Sequence, residues 1–155
     1  MARSMLIEWQ RRLIGEENQI KVVSLFNKLR EMRILLVDDD EWIRDSMSLL
    51  FEGEKCELLA VETAEEGMDK LKRQEYDVVI VDYRLPGMDG LEFLGRLRDS
   101  HPDALTLLIT AYGSREVYTK ASNLGVRAFI NKPFTVKTLE DALSCLIEKK
   151  RETKK

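Results

Sequence analysis

From Met32 onward the chain alternates short apolar runs with amphipathic stretches of helical length, five times over. The runs at 34–37, 58–61, 78–81, 105–109 and 128–130 are short and mostly apolar, as strands buried on both faces of a parallel sheet are. Helix starts fall between them. Thr63 with Glu66 and Asp89 with Glu92 have the spacing of capping boxes, in which each side chain satisfies a backbone donor at a helix N-terminus. Further helices are expected over 41–51, 114–124 and 136–149, with Gly125 placed where a helix would end. This alternation predicts an α/β fold, a doubly wound parallel sheet with helices on both faces.

The stretch before residue 32 reads as helix. Leu6, Leu13 and Ile20 are spaced by sevens, Val22, Phe26 and Leu29 form a second apolar stripe, and a break is expected at 15–18. The chain therefore divides into a helical extension (1–31), an α/β domain (32–149) and a basic tail (150–155). An apolar stripe outside a self-sufficient domain needs a cover. Packing on the same domain, dimerisation through residues 1–31 and docking on another protein all satisfy that need, and Met32 is a second candidate start.

Composition narrows the class. The chain has 155 residues, 44% of them hydrophobic and 34% charged, which suits one ordinary globular domain. Its longest apolar runs are far short of the ~20 residues a membrane helix needs, and the N-terminus meets Glu8, Arg11 and Arg12 too soon for a signal peptide. Cys56 and Cys145 lie far apart without metal-ligand spacing, so free thiols in a reducing cytoplasm are expected. Charge is unevenly distributed. Residues 1–32 carry a net +2 and residues 148–155 a net +3, leaving 33–147 at −8 of an overall −3. Such a middle repels nucleic acid, and neither nucleic-acid nor membrane binding is expected.

In open parallel sheets ligands collect at the carboxyl ends of the strands. The first run leads straight into Asp38, Asp39 and Asp40, and the third into Asp82, so carboxylates from both reach one edge. Carboxylates gathered this closely repel one another, and a hard divalent cation with oxygen ligands, Mg²⁺ (or Mn²⁺), is the usual remedy. Asp40 reads best as a helix N-cap. For Asp38 and Asp39 alone, cap and ligand remain open. The fourth run ends at Thr110 and Ala111, the fifth is followed by Asn131, Lys132 and Pro133, and a lysine before proline is disfavoured inside a helix. A metal cluster, a carboxylate nucleophile, a hydroxyl and a cation at one edge describe a phosphoryl-transfer site, and a carboxylate nucleophile yields an acyl phosphate.

Ile34-Leu-Leu-Val-Asp-Asp-Asp40, Asp82-Tyr-Arg-Leu-Pro-Gly-Met-Asp-Gly90, Thr110-Ala111 and Lys132-Pro-Phe134 together resemble the receiver domain of two-component response regulators, over about residues 32–149. That resemblance implies a flavodoxin-like fold with strand order 2-1-3-4-5. It implies a phosphoacceptor at Asp82, metal ligands at Asp38, Asp39, Asp82 and the backbone carbonyl of Arg84, and phosphoryl contacts from Thr110, Ala111 and Lys132. Switching would pass through Thr110 and Phe129, the latter lacking the hydroxyl of the family's frequent tyrosine. Pro133 is expected to be cis. Arg84 and Tyr112, each two residues past a site residue, read either as shields that tune the acyl-phosphate lifetime or as ordinary loop surface.

The implied function is a switch rather than an enzyme. It would take its phosphoryl group from a sensor histidine kinase or a histidine phosphotransfer protein. It would then signal through the family's fourth helix, fifth strand and fifth helix (114–124, 128–130 and 136–149), or pass the group on in a phosphorelay. Only a few charged residues follow Lys149, so output by partner binding is expected. Two rivals differ in class: a phosphorylation-independent interaction module, and a phosphatase of the haloacid-dehalogenase type reading Asp38-x-Asp40 with Asp38 as nucleophile. His101, in Ser-His-Pro-Asp, reads as a loop residue.

Overall fold

The computed structural model describes residues 16–153. In chain order the elements are α1 (Glu16–Leu29), β1 (Arg33–Val37), α2 (Glu41–Gly53), β2 (Glu57–Val61), α3 (Ala64–Arg73), β3 (Val78–Asp82), α4 (Gly90–Ser100), β4 (Leu105–Thr110), α5 (Arg115–Asn123), β5 (Ala128–Asn131) and α6 (Val136–Thr153). All five strands are parallel, in the order β2-β1-β3-β4-β5.

Strand periodicity sets up two cores. Ile34 and Leu36 of β1, with Val78 and Ile80 of β3, face one side. Leu35, Val37, Val79 and Val81 face the other, and all eight are fully buried. The first face is covered by α1, α2 and α6, through side chains such as Phe26, Phe51 and Leu143. The second is covered by α3, α4 and α5, through Leu71, Phe93 and Ala121.

The helix starts follow the sequence signals. Asp40, Thr63, Asp89 and Ser114 each cap a helix by accepting a hydrogen bond from a backbone N–H in its first turn. Two helix ends share one closing motif. After α5, Gly125 takes a left-handed φ of 91° while Gly125 and Val126 N–H donate back to the Ser122 and Ala121 carbonyls. After α2, Lys55 takes a φ of 60°, and Lys55 and Cys56 N–H donate to the Glu52 and Phe51 carbonyls in the same way.

The N-terminal segment departs from expectation. Helix α1 runs unbroken from Glu16, so residues 16–18 carry no interruption; Gly15, Leu6 and Leu13 lie outside the described residues. Leu25, Phe26 and Leu29 belong to the first core, and the Phe26 ring meets Phe51 edge-on with centroids 6.0 Å apart. Arg30 fixes the end of this helix, its Nε donating to the Glu54 carbonyl at 2.8 Å. At the other terminus α6 continues past residue 149 as far as Thr153. Among the described residues both cysteines are free, and no helix is long and apolar enough to cross a membrane.

Candidate functional site

The direction of chain connection reverses between β1 and β3, opening a crevice at the carboxyl edge of the sheet. Val37 pairs with Val81 across that seam, so the next residues, Asp38 and Asp82, emerge side by side. Asp38 is fully buried and Asp82 nearly so, while Asp39 faces solvent. One carboxylate oxygen from each of the three falls within 4.8 Å of the others. Lys132 reaches across from the end of β5, its Nζ 3.1 Å from Asp82 Oδ2 and 3.2 Å from Asp38 Oδ2. Thr110, fully buried at the end of β4, accepts a hydrogen bond from Tyr112 N–H at 3.1 Å through its Oγ1.

The two buried carboxylates differ in what holds them. Asp38 Oδ1 accepts from Asp40 N–H at 2.9 Å. Asp38 Oδ2 is buried and, despite the nearby ammonium, has no aligned hydrogen-bond donor among the described residues. A buried anionic oxygen without a donor is costly and calls for a cation. Burial, and then the charge of Asp38, push the Asp82 carboxyl up to about 6, against the opposing pull of Lys132. Asp38 is also raised, chiefly by burial. For Lys132 burial works downward, but the two carboxylates outweigh it and the ammonium is held above its ordinary range. One ammonium therefore faces several carboxylates, and the site remains short of positive charge.

Loops finish the rim. The Arg84 guanidinium lies over the Tyr112 ring, 4.4 Å from its centroid, so these two residues touch each other across the mouth. Ala111 and Lys132 line one wall of a neighbouring cavity, and the Lys132–Pro133 bond is cis. Phe129 is half-buried and edge-on to Tyr118 of α5, with centroids 5.0 Å apart, and the Tyr118 hydroxyl donates to Asn131 Oδ1 at 2.7 Å. Gly90 lies against the chain at Asp82: a Cβ there would come within 2.5 Å of the Asp82 carbonyl oxygen. His101 is an ordinary helix-end residue, its ring nitrogens beside Ser100 Oγ and the Leu71 carbonyl.

Three supporting residues carry no local motif. Arg44 Nη1 donates to the Asp38 carbonyl at 2.9 Å, Glu65 accepts from Met88 N–H at 2.9 Å and holds the loop after β3, and Tyr118 braces Phe129. Only Arg44 had a usable signal, since it lies one helical turn from its cap Asp40.

The model of the response regulator receiver domain matches residues 34–144, more than half of the chain. The chain belongs to the response-regulator receiver family. It is 37% identical over 114 residues to the response regulator protein FleR of Pseudomonas aeruginosa, covering 72% of this chain but only 24% of FleR. It is 29% identical over 111 residues to sporulation initiation phosphotransferase F of Bacillus subtilis, covering 72% of this chain and 90% of that protein. Among solved structures, the CheY-like receiver domain protein of Methanospirillum hungatei superposes with a TM-score of 0.74 at 30% identity, over 79% of this chain and 98% of that one. The beryllofluoride-activated NtrC4 receiver domain dimer gives 0.71 at 30% identity, over 76% and 98%.

As a receiver domain the chain has the flavodoxin-like sheet order that its sequence implied. The haloacid-dehalogenase reading of Asp38-x-Asp40 also meets a physical objection, because Asp40 Oδ1 is engaged with Trp42 and Ile43 N–H as the cap of α2.

Proposed function

We propose that Asp82 accepts a phosphoryl group and that the receiver domain acts as a phosphorylation switch. The observation that carries this reading is the pair of buried carboxylates Asp38 and Asp82 bridged by the half-buried Lys132, with the exposed Asp39 beside them and one Asp38 oxygen lacking a donor. Asp38, Asp39, Asp82 and the Arg84 carbonyl would hold Mg²⁺ or Mn²⁺, an all-oxygen set suited to a hard cation. When bound, such an ion supplies positive charge to the phosphoryl oxygens and relieves the repulsion among the carboxylates.

In the transfer step an Asp82 carboxylate oxygen attacks the donor phosphorus. The P–N bond of a phosphohistidine, or the P–O bond of an acyl phosphate, breaks on the opposite side. Asp82 must be ionised to attack, and Lys132, already within 3.1 Å, moves from the free carboxylate to a phosphoryl oxygen. The Thr110 hydroxyl and the Ala111 backbone N–H contact the remaining oxygens. Reversal is hydrolysis of the acyl phosphate, in which water attacks phosphorus and the carboxylate is released. The switch would follow from Thr110 moving toward the new anion and Phe129 moving with it, which changes the surface of α5, β5 and α6. The donor class is a sensor histidine kinase or a histidine phosphotransfer protein, in the cytoplasm. A phosphorelay role is favoured by the likeness to sporulation initiation phosphotransferase F, of which the chain covers 90%.

Intact-mass spectrometry after incubation with acetyl phosphate tests this reading. One phosphoryl adduct is expected with Mg²⁺ and none with chelator. A folded protein that takes up no phosphoryl group under either condition would instead be a phosphorylation-independent interaction module.

A further inference from the structure

The ends of β4 and β5 that carry Thr110 and Lys132 are tied to α5 by one side chain. Thr110 and Asn131 pair across the two strands, and Lys132 N–H donates to the Thr110 carbonyl at 2.9 Å. Asn131 in turn accepts a hydrogen bond from the Tyr118 hydroxyl through its Oδ1, at 2.7 Å. Both residues that would bind the phosphoryl group therefore adjoin this bond, since Thr110 is the strand partner of Asn131 and Lys132 follows it in the chain. Tyr118 stands one helical turn after Ser114, the cap of α5, so the start of the helix and the bond move together.

The same side chain touches two further parts of the molecule. Its ring lies edge-on to Phe129, with centroids 5.0 Å apart and planes at 83°. Its hydroxyl lies over Gly113 in the loop after β4. A Cβ on Gly113 would collide with that hydroxyl and come within 3.0 Å of Asn131 Oδ1, so the close approach requires glycine. Phe129 has no polar atom in its ring, and the polar tie between the loop, β5 and α5 is supplied by Tyr118 instead. The loop also holds Thr110, whose Oγ1 accepts from Tyr112 N–H at 3.1 Å, one residue before Gly113. Turning the Thr110 hydroxyl toward Asp82 gives up that bond, and displacing the Phe129 ring gives up its edge contact with Tyr118. Each motion thus works against a contact that Tyr118 makes or supports.

We propose that Tyr118 is a positioning residue for phosphoryl binding: by clamping Gly113, Asn131 and Phe129 together it keeps the Thr110 hydroxyl bonded to Tyr112 N–H, and so opposes the switch until a phosphoryl group draws that hydroxyl away. Loosening the clamp raises the share of molecules already able to bind the phosphoryl group, and uptake rises with that share. The effect on uptake rests on the phosphoacceptor reading of Asp82; the clamp itself does not.

Tyr118→Phe removes the hydroxyl and keeps the ring. In the unphosphorylated full-length protein, amide hydrogen exchange followed by NMR is expected to speed up at Tyr112 by roughly threefold or more, the scale of one lost hydrogen bond, with the β3 amides as an unchanged reference. Asn131→Ala removes the other partner and is expected to do the same, and the double variant is expected to do no more than either change alone. Phosphoryl uptake from acetyl phosphate with Mg²⁺, followed by intact mass, is expected to be faster in Tyr118→Phe by a similar factor. Unchanged exchange at Tyr112, or fully additive effects in the double variant, would overturn the clamp. Faster exchange with unchanged uptake would overturn the positioning role, because the tie would then have no bearing on phosphoryl binding. No uptake by the unmodified protein would sink the phosphoacceptor reading and the positioning role with it, while the exchange rates still decide the clamp.

Discussion

Asp82 combines the reactive role proposed for it with an unfavourable place. Its carboxyl is raised to about 6 by burial and by Asp38, so the folded protein binds that proton more tightly than the unfolded chain does. Stability from this group is therefore greatest below its unfolded value, near 3.8, and is lost as pH rises through about 6. Without metal, Asp82→Asn is expected to stabilise the protein at neutral pH by on the order of 2 kcal/mol. The advantage should disappear near pH ~4, and added Mg²⁺ should narrow it at neutral pH. Urea melts of both proteins at the two pH values, with and without Mg²⁺, give the comparison; an advantage independent of pH would contradict the assignment. Arg84 allows a second check. Stacked on Tyr112, it would shield the proposed acyl phosphate from water if the lifetime-tuning reading holds, and Arg84→Ala should then shorten the half-life of the adduct severalfold while leaving its formation intact. An unchanged half-life would return the pair to ordinary loop surface. Lys132, Thr110 and the aspartates were legible in sequence because each lies within two residues of the end of an apolar run. Glu65 and Tyr118 were not, because their partners, Met88 and Phe129, are distant along the chain and no local pattern marks the pairing.

The helix caps show the same division. Thr63 and Asp89 could be read from spacing and Asp40 from its place before the expected helix, since a cap and its recipient N–H lie within three residues. The closing turn of α2 could not, because a lysine stands where glycine is usual. Lys55 holds a left-handed φ of 60° in the motif that Gly125 adopts after α5. Lys55→Gly is expected to raise stability by about 1 kcal/mol, the approximate cost of that conformation for a residue with a Cβ. Chemical denaturation reads the effect directly. A loss of stability would mean that the lysine side chain contributes more than its backbone strain removes.

Across the molecule, five strands and both helical layers followed from periodicity, because parallel strands buried on two faces leave little choice of pattern, while the strand order followed only from the family resemblance. The place of α1 did not follow. Its stripe was equally compatible with a dimer or another protein, and only the fold shows Leu25, Phe26 and Leu29 entering the core beside Phe51 and Leu143. Phe26→Ala should accordingly cost about 3 kcal/mol or more, as deletions of core aromatics do. A thermal melt close to that of the unmodified protein would show that α1 adds little to the domain.

The central claim is that one carboxylate, Asp82, becomes covalently phosphorylated. Borohydride reduces an acyl phosphate to the alcohol and so converts the phosphorylated aspartate to homoserine, which peptide sequencing by mass spectrometry can place. After incubation with acetyl phosphate and Mg²⁺, homoserine is expected at position 82 alone and is expected to be absent when chelator replaces the metal. Homoserine at position 38, or at no position in a folded protein, would contradict the assignment.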